Sequence, residues 1–238
     1  MVYITGDIHG QTDGLSYYSK RFGMTSEDII VLLGDVGANY YLNKRDKKTK
    51  EALNSLGPTI LCIHGNHEAR PDTVEGYELK VWNYGLVWYQ PEYPNLLFAV
   101  DGALYNIDGF RCIALGGAYS VDKYYRIESG YAWFADEQPS DTIKNYVNNQ
   151  LLSVSNKVDV VFSHTCPFKY EPREMFLSCI DQSTVDDSTE KWLDSIEDKL
   201  DYKAWYCGHW HTNKRIDKMH FLFEGLESLE DLKDERQI

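Results

Sequence analysis

Five β-rich runs in this sequence end in turns that carry side chains able to ligate metal, four of them beside glycine. Residues 2–5 lead into Gly6-Asp7-Ile8-His9-Gly10, 29–33 into Gly34-Asp35, 59–63 into His64-Gly65-Asn66-His67-Glu68, 158–162 into Ser163-His164, and 203–207 into Gly208-His209-Trp210-His211. In open α/β sheets functional groups gather beyond the carboxyl ends of the strands. Asp7, His9, Asp35, Asn66, His67, His164, His209 and His211 are therefore expected to converge. Carboxylate, amide and imidazole groups without thiolate suit Mn, Fe or Zn better than Ca. Two neighbouring cations need a shared anion to offset their repulsion, and Asp35 is the natural carboxylate for that place. One His or Asp at a strand end is ordinarily a cap or turn residue. Here six of the seven histidines fall in these turns, with His220 the exception, and clustered His and carboxylates are how a metal site is recognised.

The elements that must position these turns read as alternating strands and helices, an α/β pattern. Continuous apolar runs bounded by turn residues predict buried strands. Helices are expected over 12–21, stopped by Gly23, and over 43–56, stopped by Gly57-Pro58. A third is expected from the N-cap Ser140, with Ile143, Tyr146, Val147 and Leu151 at helical spacing, and a fourth over 187–200. Runs at 96–100, 103–107 and 110–115 are strand-like, and Asp108-Gly109 between the last two predicts a hairpin. No repeat, low-complexity stretch or linker interrupts the 238 residues, so a single domain spanning 1–238 is expected, with an acidic C-terminal tail at 224–238.

Composition removes several function classes. The net charge is −13, and a chain that acidic is a poor non-specific binder of nucleic acid or of an anionic membrane surface. Much of the excess is local, because residues 181–201 hold eight acids and two bases. No apolar run is long enough to cross a bilayer, and no targeting segment is visible at the start. Five scattered cysteines without C-x-x-C predict free thiols and a cytoplasmic location. His67-Glu68-Ala69-Arg70-Pro71 begins like a zincin motif, but Pro71 stands where the second His is needed. The basic run Lys44, Arg45, Lys47, Lys48 and Lys50 reads as a solvated helix face.

Taken in order, Asp7-x-His9, Gly34-Asp35, Gly65-Asn66-His67-Glu68, His164 and Gly208-His209-x-His211 resemble the calcineurin-like metallophosphoesterase superfamily, in particular its small bacterial and phage members related to phosphoprotein phosphatases. The stretch from Gly116 to Trp133 adds to that likeness. The resemblance implies a two-sheet β-sandwich flanked by helices, a four-layer α/β/β/α fold, with a dinuclear metal site on its rim. It implies that Asp7, His9, Asp35 and His211 hold one cation and that Asp35, Asn66, His164 and His209 hold the other, with Asp35 bridging. Two divalent ions would serve, Mn, Fe or Zn, with Ni, Co or Mg effective in vitro. A water activated to hydroxide between the metals would attack phosphorus in line, and His67 would give a proton to the leaving alkoxide. Asp35 and His67 would thus be the catalytic residues. The reaction implied is phosphoester hydrolysis without a covalent intermediate, on a phosphorylated small molecule, nucleotide or phosphoprotein. A phosphodiesterase or nuclease on the same scaffold is the first alternative. A non-catalytic metal-binding interaction module is the second, although such a module would be expected to have lost ligands.

The sequence also departs from that family. Phosphoprotein phosphatases extend the second block as Gly-Asp-x-x-Asp-Arg, and here Ala38 and Asn39 take the last two places. The acid that orients His67 and the cation that binds phosphate must then come from elsewhere, with Glu68 a candidate for the first. Asn39, Arg70, Lys123 and Arg126 are the candidate substrate-binding residues, a bidentate arginine being the stronger phosphate partner. Tyr40, Tyr41, Tyr124, Tyr125 and Trp133 are expected to line a cleft.

Overall fold

The predicted strands over 2–5, 30–33, 60–63, 160–163 and 204–207 send alternate residues to opposite faces and both faces are buried, which is why these runs are almost continuously apolar rather than alternating. A computed structural model describes residues 1–234. The elements are β1 (Val2–Thr5), α1 (Asp13–Phe22), β2 (Ile29–Leu32), α2 (Lys44–Asn54), β3 (Thr59–Cys62), β4 (Glu78–Trp82), β5 (Gly85–Tyr89), β6 (Leu96–Ala99), β7 (Leu104–Ile107) and β8 (Phe110–Leu115). They continue with α3 (Lys123–Glu128), α4 (Asp141–Ser153), β9 (Val160–Ser163), α5 (Ser188–Glu197), β10 (Ala204–Cys207), β11 (Lys214–Ile216), β12 (Met219–Phe221), β13 (Glu227–Ser228) and α6 (Asp231–Asp234).

The strands form two sheets, ordered β13-β1-β2-β3-β6-β5-β4 and β11-β12-β10-β9-β8-β7. Val2, Ile4, Val31 and Leu33 of the first meet Val160, Phe162, Ala204 and Tyr206 of the second in the inner core. The intervening residues face outward. Ile30, Leu32 and Ile60 pack against Leu15 of α1 and Leu53 of α2. Val161 and Trp205 pack against Val147 and Leu151 of α4 and Leu193 and Ile196 of α5. The result is the expected four-layer α/β/β/α sandwich. The helix starts follow local chemistry, since Asn43 and Ser140 accept from the amides of Arg45 and Ile143 as N-caps.

The register decides where the turns lie. β1, β2, β3 and β6 run parallel, with Thr5 opposite Leu32 and Leu32 opposite Cys62. β8, β9, β10 and β12 run parallel in the other sheet, with Ser163 opposite Cys207. All five turns that carry the candidate ligands therefore leave at one rim of the sandwich.

Three features differ from the sequence reading. The hairpin β4–β5 was not anticipated, because its turn, Asn83 and Tyr84 at φ 47° and 70°, lacks the usual glycine. The stretch expected as an acidic tail is structured through residue 234, and β13 pairs with β1 while Leu229 and Leu232 enter the inner core. Residues 235–238 of that stretch lie outside the described residues. The basic face of α2 is exposed except at Lys50, which is buried, donates to Gln90 Oε1 at 2.7 Å and lies 4.9 Å from the Tyr77 ring centre.

Burial lowers the Lys50 amine to about 8 from its ordinary 10.5, with Asp46 and Glu92 opposing. Between those values the unfolded lysine holds a proton that the folded one has released, so stability should rise with pH across this window. Lys50→Met is expected to flatten that rise in chemical denaturation measured from pH 8 to 10.5. Parallel curves for the two proteins would show that Lys50 does not carry it.

Candidate metal centre

The candidate ligand turns adopt backbone conformations that side chains rarely take. His9, Asp35, His209 and His211 all have positive φ, between 45° and 65°. Such residues cost roughly 1–3 kcal/mol each and persist where the surroundings over-determine them. The glycines beside them are required by contact: a Cβ on Gly65 would overlap the Asp35 carboxylate, and one on Gly208 would overlap that of Asp7. The two sheets are also tied at this rim. His209 N donates to Asp7 Oδ1 at 2.9 Å, and His164 Nδ1 donates to Leu33 O at 2.7 Å.

The side chains converge as two adjoining sets. In the first, His9 Nε2 and His211 Nε2 are 3.0 Å apart, and Asp7 Oδ2 is 3.4 Å from His211 Nε2 and 4.0 Å from His9 Nε2. In the second, Asn66 Oδ1 lies 2.7 Å from His164 Nε2 and 3.1 Å from His209 Nδ1. Asp35 Oδ1 is 3.6 Å from His164 Nε2. Metal-capable groups form from Asp7, His9 and His211, from His9, Asp35 and His67, and from Asp7, Asp35 and His164. His64 is buried yet joins none of them, and His220 is spent on a hydrogen bond to Glu227 Oε2 at 2.7 Å.

The second set tests whether a cation fits. Asn66 Nδ2 donates to Ser120 Oγ at 2.9 Å, which turns Oδ1 toward the histidines. His164 Nδ1 donates to Leu33 O, which turns its Nε2 toward Asn66 Oδ1. A carbonyl oxygen and two imidazole nitrogens converging this closely make a donor set that a divalent ion fits.

Electrostatics agree with that arrangement. Burial alone would raise the Asp35 carboxyl, but His164, His67 and His9 together hold it below the usual carboxylate range. Burial keeps His209 neutral, well below an ordinary histidine, while the hydrogen bond to Asp7 raises His211. Burial also lowers His67, against the opposing charges of Asp35 and Asp122.

His67 lies beside this set. Its amide donates to Asp35 Oδ1 at 2.8 Å, and its ring stacks on Tyr40 at 6.3 Å and meets His9 edge-on at 5.5 Å. Glu68 does not orient it. That carboxylate is fully buried, accepts from Gly65 N at 2.9 Å, and is pushed up to about 8 by burial and by Asp35.

The four candidate substrate residues part company. Asn39 is buried and accepts from the Tyr77 hydroxyl at 2.9 Å, so it braces the turn instead of reaching the cleft. Arg70 is committed to Asp101 Oδ2 at 2.6 Å and to Asp136 O at 2.9 Å. Lys123 lies over the Trp133 ring at 4.3 Å. Arg126 alone adjoins the ligand shell: Nη1 donates to Ser120 Oγ at 3.1 Å, and its guanidinium lies 5.4 Å from the Tyr40 ring centre.

The sequence reading missed Ser120 and Glu137. Glu137 is buried and accepts from Ser120 N, Ser120 Oγ and Trp133 Nε1 at 3.1, 2.6 and 2.8 Å. No short motif marks such a brace, although Ser120 and Trp133 both belong to the Gly116-to-Trp133 stretch. The aromatic lining also differs. Tyr119, Phe168, Phe176 and Trp210 line the cleft, while Tyr40, Tyr41, Tyr124, Tyr125 and Trp133 do not.

Comparisons with known proteins bear on the whole arrangement. The family model for calcineurin-like phosphoesterases matches residues 1–213. The crystal structure of TT1561 of Thermus thermophilus is similar at 12% identity and a TM-score of 0.54, covering 95% of this chain and 96% of that one. A second solved structure is similar at 14% identity and a TM-score of 0.52, covering 93% and 88%. At these identities the likeness is one of fold. No curated protein sequence matches.

Proposed function

Because the chain belongs to the calcineurin-like phosphoesterase family, we propose that it is a phosphatase that holds two divalent ions, one on Asp7, His9 and His211 and one on Asn66, His164 and His209, with Asp35 shared between them. The observation that carries this reading is the convergence of Asn66 Oδ1, His164 Nε2 and His209 Nδ1 beside a second set around Asp7. Cations there would supply Lewis acidity toward phosphoryl oxygens and lower the pKa of water toward neutrality.

The chain's own groups do the rest. Asp35 and Asp7 provide the negative charge that makes close cations tolerable. Leu33 O accepts from His164 Nδ1, which turns Nε2 toward Asn66, and burial keeps His209 neutral. His67 holds a ring nitrogen at the cleft for the proton that the leaving oxygen needs. Five free cysteines, four of them buried, are consistent with a reducing compartment, which we take to be the cytoplasm. Among the described residues no helix is long and apolar enough to cross a membrane.

The test is phosphate release from aryl mono- and diesters, with the metal-stripped protein reloaded singly with Mn, Fe, Zn, Ni, Co or Mg. Monoester hydrolysis that appears only on reloading is the expected result. Diester cleavage alone would move the reading to a phosphodiesterase, and no hydrolysis with any ion would remove it.

A further inference from the structure

A cleft of about 800 Å³ opens directly off the metal turns. That volume is in the range that encloses a drug-sized ligand and far exceeds what a phosphate group fills. Its outer wall is the irregular chain between β9 and α5, which contributes Phe168, Met175, Phe176, Leu177, Ile180 and Val185. Trp210, between the ligands His209 and His211, stacks on Phe176 at 5.7 Å and 21°, so the apolar wall is continuous with the ligand turn. Leu177 is 56% exposed and Met175 39% exposed, so core packing does not account for them.

The charge of this lining is one-sided. Away from the metal ligands the cleft carries Asp122, Glu171, Asp187 and Glu190 against Arg173 alone. Burial raises Glu171 and Glu190 to about 7, so near neutrality each carboxyl can also donate a hydrogen bond to an uncharged polar group. Acids here oppose any second anionic group that extends from the phosphate.

We propose that the substrate is a phosphomonoester whose leaving alcohol is bulky, apolar or aromatic and free of negative charge, with the alcohol packed along the wall from Phe168 to Val185 and the phosphate facing the metal turns. This rests on the phosphatase reading above. Hydrolysis breaks the bond from phosphorus to the alcohol oxygen, a water oxygen bonds to phosphorus, and the alkoxide takes a proton to leave as the neutral alcohol. Nucleoside di- and triphosphates, oligonucleotides and acidic phosphopeptides bring extra anions to the acidic wall and are disfavoured.

The test compares 1-naphthyl phosphate, glycerol phosphate and ADP as substrates of the metal-loaded full chain. It also compares naphthylmethylphosphonate with methylphosphonate as inert ligands by calorimetry. The naphthyl compounds are expected to lead by about tenfold or more in kcat/KM and in affinity, the scale of discrimination an apolar pocket gives. Leu177→Asp is expected to shrink the naphthyl-to-glycerol ratio. Equal or reversed ratios overturn the leaving-group assignment and leave the phosphatase reading in place. Absent hydrolysis with the phosphonates ranked as expected overturns the phosphatase reading and keeps the cleft's preference. Absent hydrolysis with unranked phosphonates overturns both.

Discussion

Asp35→Asn is expected to lower monoester hydrolysis by at least about a thousandfold, and to reduce bound metal from two ions per chain toward one. A thousandfold corresponds to about 4 kcal/mol, which is the several kcal/mol that Lewis-acid stabilisation contributes. Asp35 is 2% exposed and belongs to two of the three metal-capable groups, so one substitution removes a charge from both neighbourhoods. An amide there is neutral and leaves the repulsion of two cations uncompensated. The variant should still fold. Asn tolerates the left-handed backbone at φ 47°, and its carbonyl can accept from His67 N as the carboxylate does. Metal content by mass spectrometry and phosphate release together check this. Retention of both ions and full turnover would sink the shared-carboxylate assignment.

Glu137→Ala is expected to destabilise the protein by roughly 3 kcal/mol, the lower end for breaking a buried charged network. For a chain of this size that is a fall in Tm of roughly 6–12 °C. Three donors point at this carboxylate, and Arg126 reaches it through Ser120 Oγ. Its loss also frees Ser120, the hydroxyl that fixes the Asn66 amide. Metal affinity should then fall by about 10- to 100-fold, as it does when groups behind a ligand are removed. Glu137→Gln, which keeps an acceptor, should show a smaller loss of both. Calorimetric melting and competition with a metal chelator provide the two readings, and an unchanged Tm with unchanged metal affinity would remove Glu137 from this role.

Much of the site was legible because its signals are local. Glycine next to Asp35, Asn66 and His209 follows from turns so tight that a carboxylate lies where a Cβ would be, as at Gly65 and Gly208. The strands were legible because both faces are buried, so residues 30–33 or 204–207 could not be polar anywhere. The roles of Asn39, Arg70 and Glu68 were not legible. Each is a polar residue near a ligand turn, and the choice between cleft and interior was made by partners such as Tyr77, Asp101 and the Gly65 amide.

The sequence by itself determined which candidate ligands stand at strand ends, which turns carry them, and that strands alternate with helices. Those properties depend on backbone conformation and burial, and each leaves a mark within a few residues. Only the tertiary structure decided how the ligands face one another. Asn66 meets His164 across 98 residues and Ser120 across 54, and Asp7 is bound by the His209 amide across 202. It also decided that an apolar, acid-bearing wall stands opposite the metal turns. That wall is irregular chain without a period, and its meaning comes from what it faces.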